Sequence, residues 1–432
     1  MMNQAGFSRV CITPTEPLPL GGYPGREAGH TSVSHPVYVR AACLSIGEAP
    51  PVYLITADLC GWGPSLCSEI YARFAEEMGV PREHVMLNAS HGHCTPITLD
   101  VLPLFYRMNE TMTAAVARYT RRVIDATLEA AKAAKASQEQ CTLDFSFGFA
   151  GFGVNRRRVR GQGFHLTSAT DPDVPVLVAK RRDGSVAGII FGYACHTTSQ
   201  FGFVLDPDYG GWASSELEAV FPGAEAMFVA GCGGDVNPLP RYRPGLETTY
   251  GHVLACAVLD AMGIDGLRSG CITDGFRLDQ QFSAGVRDLS LPLEPPLPEE
   301  DFHEGAADPN AVWRRGLYEH QIRIRREGRV PTEVPYAVQA WNLGGLQLIG
   351  LAGEPVVDYS LKLREQHGWG RTWVAGYCDD LVNYVPTERV RDEGGYEGRT
   401  GMMEYGWPSA YAAGLESRIV GAVDEMLKKT AL

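Results

Sequence analysis

The chain has 432 residues, 45% hydrophobic and 21% charged, with a formal net charge of −13 at pH 7. That length supports a large core, and the composition is ordinary for a globular protein. The acidic balance argues against nucleic acid or an anionic membrane as partner, because phosphate is met with clustered Lys and Arg.

The N-terminus lacks a basic region followed by an apolar one, so no secretory signal is expected. No stretch suits membrane insertion; the apolar run 343–357 is broken by glycines, Gln347 and Glu354. Eleven cysteines without regular spacing read as reduced thiols, and the expected compartment is the cytoplasm.

Taken in chain order, residues 37–47 and 52–58 read as strands, rich in β-branched and apolar side chains. A helical pattern covers 65–77 and closes at Met78-Gly79. Residues 85–90 form the next strand, and 113–136 form a long Ala-rich amphipathic helix without Gly or Pro. Stretches 174–180 and 186–195 read as a hairpin turning at Asp183-Gly184. Residues 214–220 are helical, and the strand 226–230 runs into Gly231, Gly233 and Gly234. The Pro- and Glu-rich stretch 291–300 reads as a linker or insertion, 314–327 as a basic exposed helix, and 339–351 as a strand pair. This mixed alternation predicts an α/β fold with a β-sheet core flanked by helices. One large catalytic domain over 1–432 is expected, with 291–333 as a candidate insertion or subdomain.

Four strand-to-loop junctions carry the chemistry. The first, His91-Gly92-His93, follows the strand 85–90; at a strand end residues i and i+2 share a face, so both imidazoles can converge. The second puts His196 at the end of a buried strand, and the third holds Asp235 in the turn Gly231-Cys232-Gly233-Gly234-Asp235. The fourth is Glu354, within Leu351-Ala352-Gly353-Glu354-Pro355. A catalytic zinc site needs three protein ligands and an open position for water, and His91, His196 and Glu354 would supply that set. Each piece has a plainer reading: a hydrogen-bonded structural histidine, an Asp capping its own turn, a Glu at the start of the helix 356–365. Cys94, Cys195 and Cys232 lie beside these motifs and read as small buried core residues. A cysteine hydrolase built on Cys94 and His93 is the competing chemistry.

In order along the chain, these motifs resemble the catalytic domain of the neutral (non-lysosomal) ceramidases. The likeness begins with Ile12-Thr13-Pro14 and Gly22-Tyr23 and continues through the run Asn88 to Pro96, Val154-Asn155-Arg156 and Asp171-Pro172. It goes on with Cys195-His196-Thr197-Thr198-Ser199, Gly234-Asp235-Val236-Asn237-Pro238, Ala352-Gly353-Glu354, Asn383-Tyr384-Val385-Pro386-Thr387 and Gly395-Tyr396-Glu397-Gly398.

The resemblance implies a zinc-dependent amidase with one Zn²⁺ per chain, held by His91, His196, Glu354 and Tyr384. It implies His93 as the acid/base, Arg156 and Tyr396 around the oxyanion, and Asp235 as a positioning residue. The chain departs from the family pattern at Cys94-Thr95, Thr197 and Pro386, and ends soon after Tyr396 without the family's immunoglobulin-like domain. The expected substrate is therefore a small soluble N-acyl amine rather than membrane ceramide. Hydrolysis of an ester or lactone at the same site, or ligand binding without catalysis, are the alternatives. The oligomeric state is not set by these patterns.

Overall fold

The computed structural model describes residues 3–26, 28–106, 108–159, 169–264, 275–279, 281–307 and 314–428. Twelve strands order its main sheet: β1 (Asn3–Cys11), β2 (Tyr38–Ser45), β3 (Val52–Ala57), β4 (Val85–Ala89), β5 (Glu139–Phe149), β6 (Asp173–Arg181), β7 (Val186–Tyr193), β8 (Glu225–Ala230), β9 (Phe282–Pro292), β10 (Glu333–Leu343), β11 (Leu346–Ala352) and β12 (Thr372–Cys378). Their spatial order is β8-β7-β6-β5-β1-β2-β3-β4-β12-β11-β10-β9, and a short strand, Phe276–Arg277, pairs with β5 off this path. The expected mixed α/β architecture, a sheet flanked by helices, is what the chain forms.

Three neighbouring pairs are parallel: β3/β4, β7/β8 and β11/β12. Each is joined across a helix: Pro64–Met78, Asp208–Val220 and Val357–His367 respectively. These are βαβ units, and in such units ligands collect beyond the carboxyl ends of the strands. His91, His196, Asp235, Glu354 and Tyr384 all follow such strand ends.

Both faces of the sheet are covered, so its central strands read as continuous apolar runs. In β4, Val85 and Leu87 point to one core with Tyr53, Ile55, Phe74, Val116 and Val123, while Met86 points to another with Leu54, Phe145, Ile190, Trp341 and Trp373. A third cluster, including Val338, Leu351, Leu363 and Val423, lies beneath the helix Leu415–Lys428. The sheet curls until Gly231, just past the edge strand β8, bridges Ala375 of β12. Asn88 fastens that closure. Its Nδ2 donates to the Gly376 carbonyl at 2.7 Å and the Ala230 carbonyl at 3.2 Å, and its Oδ1 accepts from the Ala230 N–H at 3.0 Å.

Most expected elements form with small shifts. Asn109 caps the long helix Glu110–Ala136 by accepting from the Met112 N–H at 2.8 Å, which moves its start ahead of the predicted residue 113. The helix predicted from 214 begins at Asp208, because Gly210 and Gly211 there pack against the Phe228 and Pro207 side chains. Leu291 and Pro292, read as the start of a linker, belong to β9 and pair with Val334 and Glu333. The helices Glu299–Ala307 and Arg315–Arg326 lie between β9 and β10 in the chain.

Candidate metal centre and catalytic site

His91 and His93 converge, but not by strand alternation. The strand ends at Ala89, and His91 adopts φ +58°, a left-handed conformation that redirects the chain. The result is a 3.1 Å separation between the two Nε2 atoms. Gly22 makes room for the second ring: a Cβ there would lie 2.3 Å from His93 Cγ and Nδ1. Arg26 ties the loop down, donating to the carbonyls of Gly21 and His93.

His91 Nδ1 donates to the Cys60 carbonyl at 2.7 Å, and His196 Nδ1 to the Gly233 carbonyl at 2.6 Å. Both tautomers are thereby fixed with Nε2 turned inward, the usual arrangement of metal-binding imidazoles. Each Nε2 lies 3.1 Å from Glu354 Oε2, and all three residues are buried. Apart from the two imidazoles facing it, that Oε2 has no hydrogen-bond donor among the described residues, while Oε1 accepts from the Tyr405 hydroxyl. Two inward nitrogens and an orphaned carboxylate oxygen fit a divalent cation by chemistry as well as placement. Cys60, His91 and His93 form a second cluster of the same spacing, sharing His91.

The electrostatics match. Burial works against a charged His91, but the Glu354 carboxylate and Cys60 together outweigh it and raise the imidazole to about 10. Glu354 itself is held well below the usual carboxylate range: burial opposes its charge, and His91 and His196 more than compensate. Glu354 therefore requires a cationic neighbour, which a proton on His91 or a metal ion can supply. Burial and the Arg156 charge lower His196 to about 4. Burial and the two neighbouring imidazoles push His93 well down, leaving it neutral and able to accept a proton.

The remaining expected residues gather around this centre. Tyr384 pairs in register with Glu354 through a short parallel ladder and stacks over His196 at 6.5 Å. Its phenol is pushed well up by burial and by Glu354, with Arg156 opposing. The Arg156 guanidinium lies over the rings of Tyr384 and Tyr396, at 5.3 and 5.6 Å. Arg156 Nε donates to Glu397 at 2.6 Å, whereas Nη2 is buried without a partner among the described residues. The Tyr396 hydroxyl donates to Glu404. Asp235 stands apart from the ligand atoms: it accepts from the Val357 N–H and Asn155 Nδ2, both at 2.8 Å, and so fixes the loops that carry Glu354 and Arg156.

Several contributors escape a reading of sequence. Tyr405 reaches Glu354 from a 3₁₀ segment 51 residues further along the chain. Tyr377, at φ +51°, stacks on His91 at 4.4 Å. The Glu397 partnership with Arg156 spans 241 residues. Only the Tyr-Glu-Gly run at 396–398 hinted at any of them. The cysteine alternative loses ground, since burial raises the Cys94 thiol to about 12 and disfavours a thiolate.

A sheet with βαβ units whose strand ends converge on a buried His/His/Glu cluster defines a class of α/β proteins with a candidate metal centre. Within that class the chain has the fold of the neutral ceramidases. The neutral ceramidase from Pseudomonas aeruginosa superposes with a TM-score of 0.73 at 18% identity, over 99% of this chain and 74% of that one. A ceramidase complexed with C2 superposes with a TM-score of 0.74 at 17% identity, over 99% and 76% respectively. No family model matches the sequence, and no curated protein matches it. The resemblance drawn from the motifs is thus borne out at the level of the fold.

Proposed function

We propose that this protein is a zinc-dependent hydrolase that cleaves the amide bond of a small N-acyl amine. One observation carries the reading: the Nε2 atoms of His91 and His196 lie 3.1 Å from Glu354 Oε2, with His93 Nε2 3.1 Å from His91. That a ceramidase shares the fold supports an amide as the bond attacked. His91, His196 and Glu354, with Tyr384 as a fourth candidate, would hold a zinc ion, which when bound would lower the pKa of water to about 7 and polarise a carbonyl.

The chain's own residues account for the rest. Neutral His93 accepts the proton of the attacking water and returns it to the departing nitrogen. Arg156 Nη2 is a buried donor available to the oxygen that becomes negative in the transition state. Glu397 fixes the guanidinium that carries it. The Tyr396 hydroxyl can join only by turning from Glu404, whose carboxyl burial raises to about 7. Asp235 positions the loops and touches no reacting atom in this scheme.

The soluble-substrate part of the reading rests on the departures at Thr197 and Pro386, and none of the described helices is long and apolar enough to cross a membrane. All ten cysteines among the described residues are free, which favours a reducing compartment such as the cytoplasm. The deciding experiment measures metal by mass spectrometry in wild type and His91→Ala, with hydrolysis of matched N-acyl and O-acyl substrates. About one zinc per chain, lost in the variant, with amide turnover abolished by chelation, is the expected outcome. Turnover of O-acyl substrates alone would make it an esterase, and absence of metal in wild type after added Zn²⁺ would overturn the mechanism.

A further inference from the structure

A row of aromatic rings leads outward from His93. Tyr23 packs edge-on against the His93 ring, with centroids 4.6 Å apart, and Phe201 packs against Tyr23 at 5.2 Å. Tyr242 completes the group, 5.4 Å from Phe201 and 6.0 Å from Tyr23. His93 is buried, whereas Phe201 and Tyr242 are 55% and 42% exposed, so the row runs from the reacting centre to solvent.

The row is held in place from several sides. The Arg26 guanidinium lies 4.8 Å from the Tyr23 ring centre while donating to the carbonyls of His93, at 2.5 Å, and Gly202, at 2.9 Å. Arg241 covers Tyr242 at 4.3 Å. Tyr242 adopts φ +65°, with its N–H donating to the Ser199 carbonyl at 2.7 Å. A bulky residue keeps such a backbone only where its surroundings enforce it, and such outliers cluster at functional sites. The rings come from three stretches of chain; Tyr23 is half-buried against His93, while the exposed Phe201 and Tyr242 contribute little to core packing.

We propose that Tyr23, Phe201 and Tyr242 form the subsite for the amine half of the substrate, and that they select amines carrying a neutral apolar flank. The inference rests on the amidase reading and on the role of His93 given above. In amide hydrolysis the water oxygen bonds to the acyl carbon and the C–N bond breaks. The proton held by His93 passes to nitrogen, leaving a carboxylic acid and a free amine. The group that protonates the nitrogen must lie on the nitrogen's side of the bond. Rings continuing outward from His93 therefore meet the substituent on nitrogen, and the acyl chain runs elsewhere. Aromatic faces bind hydrocarbon and ring C–H surfaces, and the Arg241 charge at the outer end disfavours a cationic flank.

The test uses the metal-loaded full chain and two substrate series. One places the same acyl group on ethanolamine and on phenethylamine; the other lengthens the acyl chain on phenethylamine. Wild type should favour the phenethylamide in kcat/KM by about tenfold or more. Phe201→Ala and Tyr242→Ala, both exposed positions, should each reduce that preference several-fold while leaving the acyl-length profile unchanged. Partial unfolding lowers both rates together and leaves their ratio alone, so the ratio isolates the subsite. Turnover with an unmoved ratio in both variants, or a change that follows acyl length, would overturn the subsite alone. Absence of turnover on every amide would overturn the amidase reading and the subsite with it.

Discussion

His91 and His93 are separated by one glycine, yet their surroundings assign them opposite tasks. His91 has one nitrogen locked on the Cys60 carbonyl and the other facing Glu354. His93 keeps Nδ1 without a hydrogen-bond partner among the described residues and is held neutral. Removing each should therefore fail differently. His93→Ala is expected to retain the metal while losing at least about a hundredfold in kcat, measured by turnover and metal content on the same sample. Tyr405→Phe removes the donor to Glu354 Oε1, freeing the carboxylate to rotate; metal affinity should fall about tenfold or more, as orienting partners commonly contribute, read by competition with a chromogenic chelator. Unchanged affinity would make that hydrogen bond incidental. His91, His196 and Glu354 were legible in sequence because each follows a strand-like run, whereas Tyr384 entered only through the resemblance. Tyr405 and Tyr377 were not, because no local pattern says which loop will cross the site.

At the scale of elements, the site depends on three βαβ units meeting at their carboxyl ends, and Asn88 is where they join. Its amide serves both Ala230 and Gly376 across separations of 142 and 288 residues. Asn88→Ala would leave the Ala230 carbonyl and N–H buried without partners and the Gly376 carbonyl with the Cys378 thiol alone, and should cost about 2–4 kcal/mol. Chemical denaturation measures that loss, and a cost below about 1 kcal/mol would mean the closure is held by packing alone. Strands β3, β4, β6, β7 and β8 were readable because their apolar runs are bounded by turn residues. Strands β1 and β5 were not read: Asn3–Cys11 has no clean alternation and becomes a strand by pairing with β2 and β5, whereas residues 141–149 do alternate as a half-buried strand should, a signal that was passed over. The turn at His91 was not foreseen, strand-end alternation being expected in its place, because its left-handed backbone leaves no mark in composition.

For the whole molecule, a buried carboxylate between two imidazoles couples metal binding, protonation and stability. In the metal-free protein, a proton on His91 neutralises Glu354 and keeps the imidazole charged up to about 10. A histidine raised above its unfolded value near 6.5 gives stability that is fully present below that pH and is lost as pH climbs through about 10. A divalent cation bound at Nε2 must displace the same proton, so its affinity strengthens as pH rises over that interval. The two trends add. The metal-free form loses stability with increasing pH, while the metal contributes more to the loaded form. The drop in Tm on adding a chelator should thus be small near pH 6, grow steadily to pH 9, and vanish at every pH in His91→Ala. Scanning calorimetry with and without chelator across that range measures it. A chelator effect that shrinks with pH would show that the cation does not compete for the His91 proton, and so binds elsewhere.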